Sequence, residues 1–222
     1  MIRLPVRFTA DDITQHQDSV LRLEREDRAL LLVDCDGDCG PGQNRVIDER
    51  IAPVVRAARS AGLLCVHLFL DISRPYPAIN DELHHGRRAS PRQLHAEFSP
   101  GWRPIIAPTD ADLVIGKTGQ DAFATSSLGD ELGARAIHTI LLAGFSFKSC
   151  LFHTAFGGFN NGYRAVVQRD GIDPPGENEW PDSRDHSLAE GGWVRRVLLR
   201  QIEDHLGYTA TCADAAAALE AS

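Results

Sequence analysis

Three reactive side chains follow short apolar runs in this chain: Asp34, Lys117 and Cys150. A thiol can attack a carbonyl carbon. A carboxylate can take the thiol proton and later return it to a leaving amine, and an ammonium favours the thiolate that forms in between. Cys150 falls where a helix starts, and the amino end of a helix also favours a thiolate. Backbone N–H groups within 144–150 are placed to hold the oxyanion of a tetrahedral intermediate. These parts suffice for acyl transfer through a thioester. Each residue also has a plainer reading: a cysteine at a helix start packs as a small hydrophobe, a lysine after a strand is a surface cation, and an aspartate after a strand caps a turn.

The elements that would position these groups can be read from the hydrophobic pattern. Residues 29–35 (ALLLVDC) form a continuous apolar run ending in acid, as a buried parallel strand does. Residues 63–70, 111–116 (ADLVIG), 139–144 (TILLAG) and 163–168 (YRAVVQ) repeat that pattern, and 208–211 suits a short edge strand. Between them, 44–61 places Val46, Ile47, Ile51, Val54, Val55 and Ala58 on one helix face, and Gly62 is placed to end that helix. Residues 127–136, 149–161, 188–206 and 214–219 also read as helices. Strands alternating with helices predict an α/β fold, a three-layer doubly wound parallel sheet of about six strands. Ligands bind such sheets at the carboxyl ends of the strands, where Asp34, Lys117 and Cys150 all fall.

Two long stretches break the alternation, 71–108 and 171–186. Both leave strand carboxyl ends and are expected to act as lid loops. Trp102, Trp180 and Trp193 lie in or beside them, and Trp102 is a candidate aromatic wall for a small planar substrate, with packing of the lid on the body as the alternative. His84, His85 and His95 read as a solvated loop. Residues 1–27 are expected to form an amino-terminal arm available for oligomer contacts, and 28–222 a single domain.

Composition narrows the partners. With 222 residues, 43% hydrophobic and 24% charged, the chain can bury a sizeable core. A net charge of −8 and scattered cations disfavour a nucleic-acid surface. No apolar run reaches ~18 residues, so no membrane partner is expected, and residues 1–7 lack the apolar region of a secretory signal. The five cysteines (Cys35, Cys39, Cys65, Cys150 and Cys212) are odd in number and sparse, which argues against a disulfide framework. A reducing cytoplasm is the expected compartment. Cys35 and Cys39 lack the pairing of a zinc site.

Three segments in order resemble the isochorismatase-like, or cysteine hydrolase, superfamily: 30–36 (LLLVDCD), 114–132 (VIGKTGQDAFATSSLGDEL) and 140–171 (ILLAGFSFKSCLFHTAFGGFNNGYRAVVQRDG). The resemblance implies catalytic roles for Asp34, Lys117 and Cys150 and a strand order 3-2-1-4-5-6. It also implies a non-proline cis peptide joining Phe145 and Ser146, with oxyanion donors among the N–H groups of Ser146, its neighbours and Cys150. Phe123, in the small-residue–Phe pattern after the lysine, becomes a substrate-binding candidate, as does Asp36. The expected reaction is hydrolysis of a C–N bond in a small linear amide, ureide or N-carbamoyl compound, with no metal and no cofactor. A homo-oligomer, dimer or tetramer, is implied as well.

The chain departs from the family pattern at three places. The Asp-x-His metal motif of nicotinamidases reads Asp71-Ile72-Ser73. Asp36 stands where Gln or Asn is usual. Gly157-Gly158 replaces an Asp-Ala pair, which is expected to open space beside the nucleophile helix. Asp34-Cys35-Asp36-Gly37-Asp38 also resembles a haloacid-dehalogenase phosphatase motif, with Asp34 as nucleophile and Mg²⁺ required, although Asp38 stands where Thr is expected and Lys117 precedes Ser146 in the wrong order. A non-catalytic binding protein on the same fold is the remaining alternative.

Overall fold

The computed structural model describes residues 2–9, 16–23, 27–36, 40–71, 73, 104–174 and 193–221. Eight strands form one sheet: β1 (Ile2–Thr9), β2 (His16–Leu23), β3 (Arg28–Val33), β4 (Leu64–Leu70), β5 (Leu113–Lys117), β6 (Thr139–Gly144), β7 (Arg164–Gln168) and β8 (Gly207–Ala210). Their spatial order is β2-β1-β8-β7-β6-β3-β4-β5. From β8 to β5 every pairing is parallel. These six strands have the order expected from the sequence.

The other two strands were not expected. β1 and β2 form an antiparallel hairpin, and β1 also pairs antiparallel with β8. Along β1, Ile2, Leu4 and Val6 are buried while Arg3 and Pro5 are exposed, the period-2 alternation of a half-buried strand. β2 is exposed along most of its length, so its sequence carries no such pattern.

The interior strands are mostly apolar because both faces of the sheet are covered, with His67 in the middle of β4 an exception. On β3, Leu30 and Leu32 face one core, with Ile47, Ile51, Val54, Val55, Ala215 and Leu219. The intervening Ala29, Leu31 and Val33 face the other, with Leu128, Leu132, Leu151, Ala155 and Ile202. The first face is covered by α1 (Pro41–Val46), a π-helical turn at Ile47–Ile51, α2 (Ala52–Ser60) and α7 (Cys212–Glu220). The second carries α3 (Ala122–Thr125), α4 (Leu128–Gly133), a π-helical turn at Phe147–Leu151 leading into α5 (Phe152–Asn160), and α6 (Trp193–Gln201) with a third π-helical turn at Ile202–Leu206. Among the described residues no helix is long and apolar enough to cross a membrane.

The sheet's carboxyl edge is tied together at β3 and β6. The Phe145 N–H donates to the Val33 carbonyl at 2.8 Å, so the chain leaving β6 hugs the end of β3. Gly144 makes this possible. Its φ of +125° is one that side chains disfavour, and a Cβ there would overlap the Val33 carbonyl oxygen. Gly144→Ala is expected to cost on the order of 3 kcal/mol or more, about 6–12 °C of melting temperature for a chain of this size. Thermal unfolding checks this, and a melting temperature within about 2 °C of the parent would show that the turn can move aside.

Candidate active site

β3 stops at Val33, and Asp34 turns the chain with φ 48°, in the left-handed region that aspartate tolerates better than most residues. Its N–H donates to the Leu68 carbonyl at 2.9 Å, which anchors the turn on β4. Lys117 is the last residue of β5. Its Nζ lies 2.9 Å from Asp34 Oδ2 and 3.3 Å from Cys150 Sγ. Lys117 is fully buried and Cys150 half-buried. Cys150 lies in the π-helical turn at the start of a helix running to Asn160. The carboxylate, ammonium and thiol singled out in the sequence therefore meet at one point.

Electrostatics fix the resting protonation. Burial works against the Lys117 ammonium, but Asp34 and then Cys150 outweigh it and hold its pKa above the ordinary lysine range. Burial, reinforced by the Asp34 carboxylate, pushes the Cys150 thiol up to about 12 despite the opposing pull of Lys117. Burial and Asp34 thus favour the neutral thiol, while Lys117 and the helix start favour the thiolate. Burial pushes Cys65 up to about 12 as well. What sets Cys150 apart is its contact with Lys117 and Asp34.

The turn between β6 and α5 is pinned on several sides. The Phe145–Ser146 peptide is cis. The Gly144 N–H donates to the Gly171 carbonyl at 2.8 Å. The N–H groups of Ser149 and Leu151 both donate to the Ser146 carbonyl, at 3.0 and 3.2 Å. The Phe147 N–H donates to the Asp173 carboxylate, whose other oxygen accepts Gln43 Nε2 at 2.6 Å. Sequence reasoning missed Asp173 and Gln43. They are 130 positions apart, and no local pattern links them.

The remaining candidates are placed differently. Asp36 forms an isolated bridge with Pro104, and the Ile105 N–H donates to the Cys35 carbonyl at 3.3 Å, so residues 104–106 run beside the loop that follows β3. The Phe123 ring packs on Tyr163, with ring centroids 5.1 Å apart, and lies against Gly158. Tyr163 precedes β7, which turns the Phe123 ring towards the opposite end of the sheet from the three reactive groups. Trp102, Trp180, His84, His85 and His95 lie outside the described residues, as does most of both expected lids. Trp193 opens α6.

The expectation of open space at Gly157-Gly158 is overturned. A Cβ on Gly157 would overlap the Asp121 carboxylate, and one on Gly158 would press on Ile140 and Phe123. The glycines admit these side chains against the helix. At the position of the nicotinamidase metal motif, Asp71 Oδ1 instead accepts the Ser73 N–H at 3.0 Å and its hydroxyl at 2.5 Å. Among the described residues no cluster of three or more His, Cys, Asp or Glu side chains is arranged to hold a metal ion.

The sequence profile described as the isochorismatase domain matches residues 28–196. The chain belongs to the isochorismatase family. That assignment replaces the haloacid-dehalogenase reading of Asp34 to Asp38. Within the family, the chain is 29% identical over 151 residues to streptothricin hydrolase from Streptomyces noursei, an alignment covering 64% of this chain and 48% of that protein. It is likewise 29% identical over 151 residues to maleamate amidohydrolase from Pseudomonas putida, covering 64% of this chain and 70% of that protein. The chain thus spans about half the length of the streptothricin hydrolase. A solved cysteine hydrolase from Pseudomonas syringae pv. phaseolicola 1448A superposes with a TM-score of 0.76 at 21% identity, covering 90% of this chain and 96% of that one. That likeness establishes the shared fold.

The charge arrangement makes a distinctive prediction for this isochorismatase-family chain. Asp34 raises the thiol pKa, so Asp34→Asn should lower it. The thiolate fraction, and with it the rate of iodoacetamide alkylation at pH 7.5, should rise by about tenfold or more. Mass spectrometry locates the adduct on Cys150. An unchanged or slower rate would mean that the carboxylate does not control the thiol.

Proposed function

We propose that the protein is an amidohydrolase that cleaves a C–N bond of a small linear amide, ureide or N-carbamoyl compound through a thioester on Cys150. The observation that carries this reading is the fully buried Lys117, whose ammonium touches both the Asp34 carboxylate and the Cys150 thiol. The names borne by the two relatives, a hydrolase and an amidohydrolase, support it.

In this reading Asp34 takes the thiol proton as sulfur attacks the carbonyl carbon. Lys117 remains charged throughout and offsets the negative charge built up on sulfur. Five amides of the turn are already committed: that of Gly144 to Gly171, that of Phe145 to Val33, that of Phe147 to Asp173, and those of Ser149 and Leu151 to the Ser146 carbonyl. As the family resemblance implies, the oxyanion is given to the N–H groups of Ser146 or its neighbours and of Cys150. Asp34 then gives its proton to the leaving nitrogen, and the C–N bond breaks to leave the thioester. A water molecule, deprotonated by Asp34, attacks the thioester. The acid leaves, and the proton held by Asp34 returns to sulfur. A dimer or tetramer belongs to the same proposal, and light scattering measures it. Asp36 and Trp102 remain proposed substrate contacts, and a cytoplasmic location remains proposed.

An ammonia-release screen over nicotinamide, ureides, biuret-like compounds, maleamate and carbamoyl amino acids should find turnover that falls on the order of 10³-fold or more in Cys150→Ala. Cys150→Ser or Cys150→Ala at near-parental rate would end the thioester reading. Lys117→Met should remove turnover and also destabilise the fold by roughly 3–5 kcal/mol, because it strands a partly buried carboxylate. Urea denaturation measures the second effect, and a variant as stable as the parent would show that the ion pair is dispensable.

A further inference from the structure

Asp173 lies outside the three matching segments, yet it is only 7% exposed and sits where separate parts of the site meet. One carboxylate oxygen accepts the Phe147 N–H, the first amide of the helix that carries Cys150. The other accepts Gln43 Nε2 at 2.6 Å. Gln43 in turn uses its Oε1 to accept the Gly40 N–H at 2.9 Å, just before α1 and a few residues after Asp34 and Asp36. The bonds therefore run in one direction: Gly40 donates to Gln43, Gln43 donates to Asp173, and Phe147 donates to Asp173. A carboxylate accepts on both of its oxygens. An amide at 173 would set N–H against N–H at one end.

We infer that Asp173 is a positioning residue for the reaction proposed above, holding the turn that carries Cys150 in register with the loop that carries Asp34 and Asp36, with Gln43 as the link. It acts through Phe147 and Gln43 rather than on the reacting atoms. The inference rests on Cys150 being the nucleophile. It differs from simple helix capping in what it controls: capping sets stability, whereas registration of two catalytic loops sets kcat.

The direction of the bonds supplies the test. Asp173→Asn breaks the chain by adding a donor, and Gln43→Glu breaks it by setting two carboxylates against each other. Together they restore it. The amide at 173 accepts from Phe147 and donates to the carboxylate at 43, whose other oxygen accepts from Gly40. Each single variant is expected to lower kcat by ~10- to 100-fold with KM moving less than about threefold. The double variant should recover to within about threefold of the parental kcat. Circular dichroism and melting temperature establish that each variant is folded. Folded single variants with kcat within about twofold of the parent, or a folded double variant whose loss is the product of the two single losses, would overturn the inference. Should either single variant fail to fold, the folded double variant decides by the same measure: recovered kcat supports the link, and a slow enzyme refutes it. Cys150→Ala, assayed alongside, separates the two claims. Turnover retained there removes the nucleophile reading. Turnover lost there but parental in Asp173→Asn removes the positioning role alone.

Discussion

Much of this structure is organised around one buried ammonium. Lys117 is wholly removed from solvent, and burying an ion costs several kcal/mol unless close partners compensate. Its partners come from two other places in the fold. Asp34 ends β3, which is two strands away from β5, a separation of roughly 9–10 Å. The lysine stem must therefore cross the end of β4 to reach it. The crossing is supported there: the Asp71 N–H donates to the Lys117 carbonyl at 2.8 Å, which holds the ends of β4 and β5 together. The left-handed turn at Asp34 brings the carboxylate to meet the ammonium. A long flexible cation can span this gap, and the sheet order fixes how long it must be.

The third partner, the thiol, depends on a turn whose own helix end is already occupied. The amino end of a helix carries partial positive charge, which favours a thiolate at Cys150. Asp173 sits on the first amide of that helix and takes up this charge. Nearer the sulfur, burial and the Asp34 carboxylate favour the protonated thiol against the opposing pull of Lys117. A protonated resting thiol suits a carboxylate base. In the proposed reaction Asp34 takes the thiol proton when substrate arrives and later gives it to the leaving nitrogen.

The six parallel strands and the three reactive residues were legible because both rest on strong local signals. A strand buried on two faces is apolar at most positions, as Leu30, Leu31 and Leu32 are, and reactive groups in such folds cluster where those runs end. The hairpin was half legible. Ile2, Leu4 and Val6 alternate with polar or exposed neighbours, but β2 is wet on both faces and leaves no periodicity. Phe123 was read from a motif, which shows that an aromatic ring is present without showing which end of the sheet it faces. Asp173 and Gln43 were invisible for a simpler reason: their pairing exists only once the chain has brought α1 and the segment after β7 together.

The glycine pair in the nucleophile helix bears on where substrate choice resides. Losing two side chains next to a catalytic residue suggests a widened pocket. Here the vacated volume is taken by the Asp121 carboxylate, Phe123 and Ile140, all contributed by the protein itself. Asp121 also accepts the Phe123 N–H at 2.9 Å and so caps the short helix α3 that follows Lys117. The change is thus a repacking between the helix that bears the thiol and the segment that bears the lysine. In the proposed reaction, selectivity would rest on groups that border the carboxyl edge beside Asp34, Lys117 and Cys150. Among the described residues Asp36 is the clearest of these. Its backbone pairs with Pro104, and a second carboxylate close to Asp34 would favour substrates that bring a cationic or hydrogen-donating group to that side.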